Sequence, residues 1–267
     1  MTERRDVHAT MTLDAAEATS YMLAVSAAAG VPLLREELTV TLDGEPVAVR
    51  ELLEPATTRL QLFRTGRGRV EIDYRASVEG RAAPAPVAPL EEIVYLRPSR
   101  YVESDALQPF ARETFGGSSG ADLVRRVTAW VHERLRYDAG ETSPTGGAAQ
   151  TLEAGAGVCR DFAHLTAALL RALDVPARLV SVYAPQLSPP DFHAVVEVLV
   201  DGRWVVADAT RLAPRRGMIR VATGRDAADT AFLTNTLADI RLTALSVEAL
   251  ADPVLAEDDP DELVELG

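Results

Sequence analysis

The sequence predicts an α+β protein with a β-sandwich-like N-terminal domain, followed by a core of helices packed on an antiparallel sheet. Three observations predict this fold class. Residues 3–78 contain short alternating apolar segments between turn signals, residues 81–89 are rich in proline, and helical apolar spacing begins only after residue 120. Helices that precede a run of antiparallel strands are typical of an α+β domain rather than of a doubly wound sheet.

The composition indicates a globular protein and argues against one class of partner, nucleic acids. The 267 residues exceed the roughly 150 of a typical domain, which is consistent with one large domain or two medium ones. Hydrophobic residues at 47% and charged residues at 25% exclude a disordered chain, a collagen-like fibre and a coiled coil. The net charge is −13 and every basic residue is Arg, so no nucleic-acid partner is expected.

The first domain is predicted to consist of strands. Alternating apolar residues predict strands at 7–13, 38–42, 59–63 and 69–74. The last two flank Gly66-Arg67-Gly68 and predict a hairpin. The proline-rich segment 81–89 cannot continue a central strand, so it is expected to be an extended linker between domains.

In the second domain, apolar residues at helical spacing predict helices over 121–137 and 159–173, with a long Gly- and Ala-rich loop between them. Strands are predicted at 178–183, 192–200, 203–209, 218–222 and 240–247. From Thr243 onward there are eight acidic residues and no Arg, which predicts a solvated, mobile tail. The predicted boundaries are therefore 1–90 for the β-rich domain, 91–245 for the core and 246–267 for the acidic tail.

A single cysteine excludes an intramolecular disulfide and a Cys-rich zinc site, and with four scattered histidines neither a metal nor a cofactor is expected. The N-terminus lacks the apolar stretch of a signal peptide, and no apolar run is long enough to span a bilayer. We therefore expect a cytoplasmic protein with no membrane partner, in which the cysteine remains a thiol.

That cysteine, Cys159, follows Gly155-Ala156-Gly157-Val158 and is predicted to lie in the first turn of a helix. The free N–H groups of a helix N-terminus favour a thiolate and can hold an oxyanion. A free cysteine is also commonly a small buried hydrophobe. This segment alone supports a nucleophile and a core residue about equally. Gln150, in the preceding loop, is a further candidate donor to an oxyanion.

The turn Asp201-Gly202 is the strongest hairpin signal in the chain, and it places a histidine beside a carboxylate. If the turn has two residues, Val200 pairs with Arg203, and His193 and Asp208 become diagonal neighbours at roughly 7 Å. An imidazole oriented by a carboxylate is what a Cys–His nucleophilic pair requires. Glu197 lies on the same predicted face and is the alternative orienting acid, since one bulge would shift the register.

Four motifs together give the sequence a family resemblance. They are Gly-Val-Cys-Arg-Asp-Phe-Ala-His-Leu, Pro-Ala-Arg-Leu-Val-Ser-Val-Tyr, Phe-His-Ala-Val-Val-Glu-Val and Gly-Arg-Trp-Val-Val-Ala-Asp-Ala-Thr. In this order they resemble the bacterial transglutaminase-like superfamily, over about residues 95–236, and the β-rich first domain resembles the region that often precedes this core. The resemblance implies a papain-like core and a catalytic triad of Cys159, His193 and Asp208. Val195 and Ala209 depart from the aromatic residue and the proline that the family often has there.

The resemblance implies a thiol-dependent hydrolase or acyltransferase, of the cysteine peptidase or amidase type, that acts on a peptide or amide bond through a thioester acyl-enzyme. Its expected partner is then a peptide, protein or amide substrate, and transglutaminase activity is compatible with the same chemistry. The alternative is a non-catalytic transglutaminase-like scaffold that binds a protein partner.

Overall fold

A computed structural model describes residues 3–267. The N-terminal unit is built from strands whose apolar residues alternate with polar ones; in β1 every second residue is buried. Its seven strands are β1 (Arg4–Ala15), β2 (Thr19–Leu23), β3 (Leu33–Leu42), β4 (Glu45–Pro46), β5 (Arg50–Leu53), β6 (Arg59–Thr65) and β7 (Gly68–Glu79).

The second unit begins with helices and ends with strands, as predicted. Its elements are α1 (Pro89–Val94), α2 (Ser104–Phe115), α3 (Gly120–Arg134), β8 (Arg136–Tyr137), α4 (Ala148–Ala154), β9 (Ala156–Gly157), α5 (Cys159–Ala172), β10 (Ala177–Tyr183), β11 (Phe192–Val200), β12 (Arg203–Ala207), β13 (Ile219–Gly224), α6 (Ala227–Thr230), β14 (Leu233–Thr236) and β15 (Ile240–Asp252). A single 3₁₀ turn covers Arg215–Gly217.

The strands of the N-terminal unit form two antiparallel sheets, and the last two strands of the chain join them. One sheet has the order β15-β1-β7-β3-β4 and the other has the order β14-β2-β6-β5. Buried residues of both sheets form one hydrophobic core, which includes Met11 from β1, Tyr21 from β2, Phe63 from β6 and Ile72 from β7. The mixed α and β architecture with antiparallel sheets confirms the predicted fold class.

The predicted hairpin around Gly66-Arg67-Gly68 is wrong. β6 pairs with β2 and β5, whereas β7 pairs with β1 and β3, so the two strands belong to different sheets. The glycine-containing turn therefore carries the chain from one sheet to the other. Strand and turn signals identify both strands, but they contain no information about which neighbour each strand pairs with.

The second unit is centred on α5, which packs against a four-stranded antiparallel sheet of order β12-β11-β10-β13. Every residue of α5 from Asp161 to Ala172 is buried, so the helix lies in the interior rather than on the surface. Leu165 and Leu169 of this helix share a core with Val196 and Val198 of β11. The N-terminus of α5 is thus fixed relative to the sheet.

Part of the segment 246–267, predicted as a solvated tail, is held by the fold instead. Residues 246–252 continue β15, which pairs with β1 along its whole length apart from one bulge. The following segment, 253–266, lies against the core: Val264 is buried and its carbonyl accepts a 2.7 Å hydrogen bond from the Val206 N–H of β12. Three of its acidic residues, Asp258, Glu262 and Glu265, pair with arginines that are distant in the sequence, which local charge counting cannot detect.

The two units share one of their hydrophobic cores, the one between the N-terminal sheets. Tyr183, Ile219, Val221 and Ala222 of the second unit pack into the core of the N-terminal sheets. The proline-rich segment after β7 contains no regular secondary structure up to Pro89, where α1 begins. Within residues 3–267, no helix has both the length and the apolar character needed to cross a membrane.

Candidate active site

Cys159 is the first residue of α5, and two glycines shape the turn that precedes it. Gly155 ends α4 in the left-handed conformation, with φ 65°. Gly157 passes so close to the helix that a Cβ there would lie 2.6 Å from the Asp161 side chain. Gly157 therefore has to be a glycine to let the chain enter the helix at this angle. The result is a partly exposed thiol at a helix N-terminus.

Asp161 and Arg160 brace this turn and connect it to the loop over residues 138–147. The Asp161 Oδ2 accepts hydrogen bonds from the Val158 N–H at 2.9 Å and from the Thr142 hydroxyl at 2.6 Å. The Arg160 Nη2 donates to the Ser143 carbonyl at 2.5 Å and contacts the Thr142 hydroxyl at 3.0 Å. A buried carboxylate with several donors holds its neighbours in fixed positions, so the loop and the turn move together.

The β11–β12 hairpin has the register that the sequence predicts. Val200 pairs with Arg203, and both turn residues between them have positive φ, as a tight hairpin turn requires. This register brings the His193 Nε2 to 2.9 Å from the Asp208 Oδ2, with both side chains buried. The other Asp208 oxygen accepts the Thr210 N–H at 2.9 Å and its hydroxyl at 2.7 Å.

The three predicted site residues are brought together. The Nδ1 of His193, the ring nitrogen not bonded to Asp208, is buried and has no protein partner within hydrogen-bond distance among the described residues. Cys159 is close enough to His193 to raise the pKa of the imidazole, and the Thr210 hydroxyl lies 3.4 Å from its Nε2. The order is therefore thiol, imidazole and carboxylate, the arrangement in which an imidazole can exchange a proton with a thiol.

Comparison with known proteins gives the family. The family model of the transglutaminase-like superfamily matches residues 108–209. The crystal structure of a proposed cysteine protease from Cytophaga hutchinsonii superposes with a TM-score of 0.88 at 31% sequence identity, covering 98% of this chain and 96% of that one. The chain belongs to the transglutaminase-like superfamily. These relationships support a papain-like thiol enzyme of the cysteine peptidase kind in broad terms.

Two mycobacterial relatives of this superfamily protein match over shorter lengths. Protein ML0607 of Mycobacterium leprae is 37% identical over 87 residues, which are 32% of this chain and 30% of that protein. Protein Rv2569c of Mycobacterium tuberculosis is 25% identical over 191 residues, which are 59% of this chain and 61% of that protein. The chain thus spans less than two thirds of the length of either relative.

The His193–Asp208 pair determines the electrostatics of the site in this superfamily member. Burial lowers the pKa of His193, but the Asp208 carboxylate outweighs it, and together with Cys159 it raises this pKa from 6.5 to about 10. Burial raises the pKa of Asp208, but the His193 charge and the hydrogen bonds from His193 and Thr210 lower it below its usual range. The imidazole is therefore favoured as a cation beside an ionised carboxylate.

Glu197, the alternative orienting acid, is engaged elsewhere. Its carboxylate lies between Arg178, at 2.7 Å, and Arg220, at 2.5 Å. The Arg178 guanidinium also stacks over the Trp204 ring, 4.0 Å from its centroid. Glu197 thus belongs to a buried ion network with these two arginines. Asp208 is the carboxylate that contacts His193.

Sequence reasoning missed Tyr137 and misplaced Gln150. Residues 136–137, predicted as the end of a helix, leave α3 and form the short strand β8, which pairs in parallel with β9. The Tyr137 ring packs beside the first turn of α5, with its centroid 5.9 Å from that of Phe162, and burial together with the nearby Cys159 raises the pKa of Tyr137 to about 12. Gln150 lies in α4, a helix within the predicted loop, and lines an open groove with Trp130 and Glu153. No spacing rule indicates the position of Tyr137, because the contact depends on the parallel pairing.

Metal ligation has no support in the part of the chain that is described. Residues 3–267 contain no group of three or more His, Cys, Asp or Glu side chains that could hold a metal ion.

Proposed function

We propose that this protein is a thiol-dependent hydrolase or acyltransferase that acts on a peptide or amide bond through Cys159, His193 and Asp208. One observation carries the proposal: a buried imidazole lies 2.9 Å from a carboxylate and beside a thiol at a helix N-terminus. The combination supplies a nucleophile, a proton carrier and an orienting acid.

The reaction begins when the Cys159 sulfur, whose proton passes to His193, bonds to the carbonyl carbon of the substrate. The carbonyl oxygen becomes an oxyanion, and the Cys159 backbone N–H at the start of α5 donates to it. When the C–N bond breaks, the imidazolium gives its proton to the leaving amine and a thioester remains on Cys159. Asp208 keeps the imidazole in the orientation and tautomer that these transfers need.

The molecule that releases the acyl group from Cys159 distinguishes hydrolysis from acyl transfer. Water or a primary amine attacks the thioester carbon while His193 takes a proton from it, and the departing sulfur regains a proton. Water makes the enzyme a peptidase or amidase, and an amine makes it a transglutaminase. We propose peptides, proteins or small amides as substrates, and the presence of an amine decides which product forms.

Mass spectrometry of a mixed peptide pool tests the proposal. Purified protein is incubated with the pool, with and without a primary amine, and Cys159→Ala is the control. We expect cleaved or amine-linked peptides that depend on Cys159, together with a thioester adduct on the protein. If neither product forms and the Cys159 thiol is alkylated no faster than free cysteine, the scaffold alternative replaces this proposal.

A further inference from the structure

We infer that the free edge of β15 pairs with β15 of a second copy of this chain. The pairing forms a two-fold symmetric dimer, in which the five-stranded sheet continues from one copy into the other. β15 is the last strand of that sheet and pairs with β1 along one side, while no strand in the described part of the chain lies along its other side. Such an edge presents a row of backbone N–H and C=O groups that another strand can bind.

The apolar side chains of β15 are exposed as in a strand that lacks a neighbour. Leu242 and Leu245 lie opposite buried residues of β1, so both leucines point toward the core between the two sheets. They are nevertheless 41% and 37% exposed, because β15 is the last strand of its sheet. Leu250, on the outer face, is 67% exposed. Apolar exposure concentrated on one strand is typical of a surface that another protein covers.

β15 has few of the features that protect natural edge strands. Protected edges are usually short, or they carry lysine, proline or a charge that points inward. β15 has 13 residues and contains neither lysine nor proline. Its charged residues, Arg241, Glu248 and Asp252, lie opposite the outward-facing residues of β1, so all three point to the outer face. The edge is therefore open to a strand whose side chains fit it.

The sequence of β15 is complementary to itself when a second strand runs antiparallel to it about Val247. Two-fold symmetry places Val247 opposite its own copy. Thr243 is the extra residue of the bulge in the β1–β15 pair, so residues before it pair one position further along. In this register each exposed leucine faces an alanine of the second copy: Leu245 faces Ala249, Leu250 faces Ala244 and Leu242 faces Ala251. The small alanine side chain leaves room for the leucine in every pair.

The charges at the two ends of β15 match in the same register. Arg241 of each copy lies opposite Asp252 of the other copy on the outer face, so the dimer contains two symmetric pairs of opposite charge. The Arg241 side chain is exposed and binds Asp14 at 2.7 Å, which leaves other guanidinium donors for a second carboxylate. Opposite charges across antiparallel strands stabilise the pairing and like charges destabilise it. This complementarity identifies a second copy as the partner of the edge.

Sedimentation equilibrium of the full chain tests the dimer and its register. We expect the wild-type protein to have twice the 28.7 kDa mass of one chain. Asp252→Arg places a second guanidinium opposite Arg241, and Arg241→Asp places a second carboxylate opposite Asp252. Because each variant creates two like-charge contacts, we expect its dissociation constant to rise about 10- to 100-fold. Both positions are exposed, and circular dichroism checks the fold of each variant.

An equimolar mixture of these two variants separates specific pairing from general damage to the strand. One chain then has a guanidinium at both positions and the other has a carboxylate at both, so a heterodimer contains two opposite-charge pairs. We expect the mixture to regain the dimer mass, although neither variant alone does. Glu248→Arg is the matched control on the same outer face. Glu248 lies opposite Ser246 in this register, so the variant should keep the wild-type dissociation constant within about threefold.

Three results would overturn the inference. The first is a wild-type chain that stays at 28.7 kDa at about 0.1 mM, which would leave the edge of β15 to a different partner. The second is a dimer that Asp252→Arg does not weaken, and the third is a mixture of variants that stays monomeric. Neither Arg241 nor Asp252 belongs to the proposed active site, so these masses do not depend on whether Cys159 is catalytic.

Discussion

Two buried histidines of this protein have opposite charge preferences because their neighbours differ. His164 stacks on Tyr101, and its Nε2 accepts a 3.2 Å hydrogen bond from the Ala227 N–H. Burial lowers the pKa of His164 to about 4. His193 is equally buried, but it faces Asp208 and is favoured as a cation. A histidine beside a neutral backbone N–H therefore stays neutral, whereas a histidine beside a carboxylate is favoured as a cation.

Nuclear magnetic resonance of the four histidines tests this difference. At pH 7 we expect His193 to be an imidazolium and His164 to be neutral, because the pKa is raised in one and lowered in the other. Since the folded-state pKa of His193 is raised, its pairing stabilises the fold fully below pH 6.5, and this contribution is lost as the pH rises through about 10. A neutral His193 ring at pH 7 would contradict the assignment.

Replacing Asp208 by Asn should reduce turnover while leaving the fold intact. The amide supplies a donor where the Nε2–H of His193 needs an acceptor, which favours the wrong tautomer. We expect a loss of about 10²-fold, less than the roughly 10⁴-fold of a serine protease, because a thiolate–imidazolium pair is charged before attack. Turnover of a peptide found in the mass-spectrometric screen measures the loss.

The control for this change is Asp201→Asn in the turn of the same hairpin. Asp201 is exposed and its φ is 49°, a conformation that Asn tolerates. It should keep wild-type turnover. Equal turnover in Asp208→Asn and the wild-type protein would exclude Asp208 as the orienting acid. Glu197→Gln is unsuitable as a control because it would leave Arg178 and Arg220 buried without their shared carboxylate.

Among the secondary-structure elements, those features that depend on neighbouring residues in the sequence could be predicted. The register of β11 and β12 follows from the two-residue turn, so the contact between His193 and Asp208 could be predicted before the structure. The pairing of β8 with β9 and the engagement of Glu197 depend on residues far apart in the chain. The sequence does not predict helix α2, because α2 contains Pro109 and a proline normally disfavours the interior of a helix.

The C-terminal segment 253–266 is an element that only the structure identifies, and its ion pairs can be tested. The Arg215 Nε lies 2.5 Å from the Asp258 Oδ2, and Arg215 also donates to the Val206 carbonyl of β12 at 3.0 Å. Asp258→Ala leaves a buried guanidinium without its carboxylate. We expect the free energy of unfolding to fall by about 3 kcal/mol, the lower end for a broken buried pair, because Asp258 is partly exposed.

Urea denaturation of Asp258→Ala and Glu262→Ala compares a buried pair with an exposed one in the same segment. Glu262 pairs with Arg216, and both side chains are about half exposed. Its replacement should cost at most about 1 kcal/mol. If the two variants lose equal stability, the Arg215–Asp258 pair does not hold the segment to the hairpin.

For the whole molecule, the boundary predicted at residue 90 marks a change of secondary structure, but apolar side chains from both sides of it pack in one hydrophobic core. The chain returns to the N-terminal sheets through β14 and β15, and a boundary at residue 245 would cut through β15. The proline-rich linker can be recognised from composition, because each proline restricts only its own part of the backbone. The return of the chain to the N-terminal sheets cannot be recognised in this way, because nothing in residues 240–252 specifies that β1 is their partner.

We therefore expect the fragment 91–267 to fail to fold alone. It would lack β1, so β15 would have no partner strand, and the apolar side chains of Tyr183, Ile219 and Val221 would face water. A long unpaired strand beside exposed apolar surface favours aggregation. Size-exclusion chromatography and circular dichroism of the fragment measure this outcome. The full chain cleaved within residues 82–88 is the control and should elute as one particle, because the shared core holds its two parts together. A monomeric fragment that unfolds cooperatively would show instead that the second unit is self-sufficient and that the shared core contributes little to its stability.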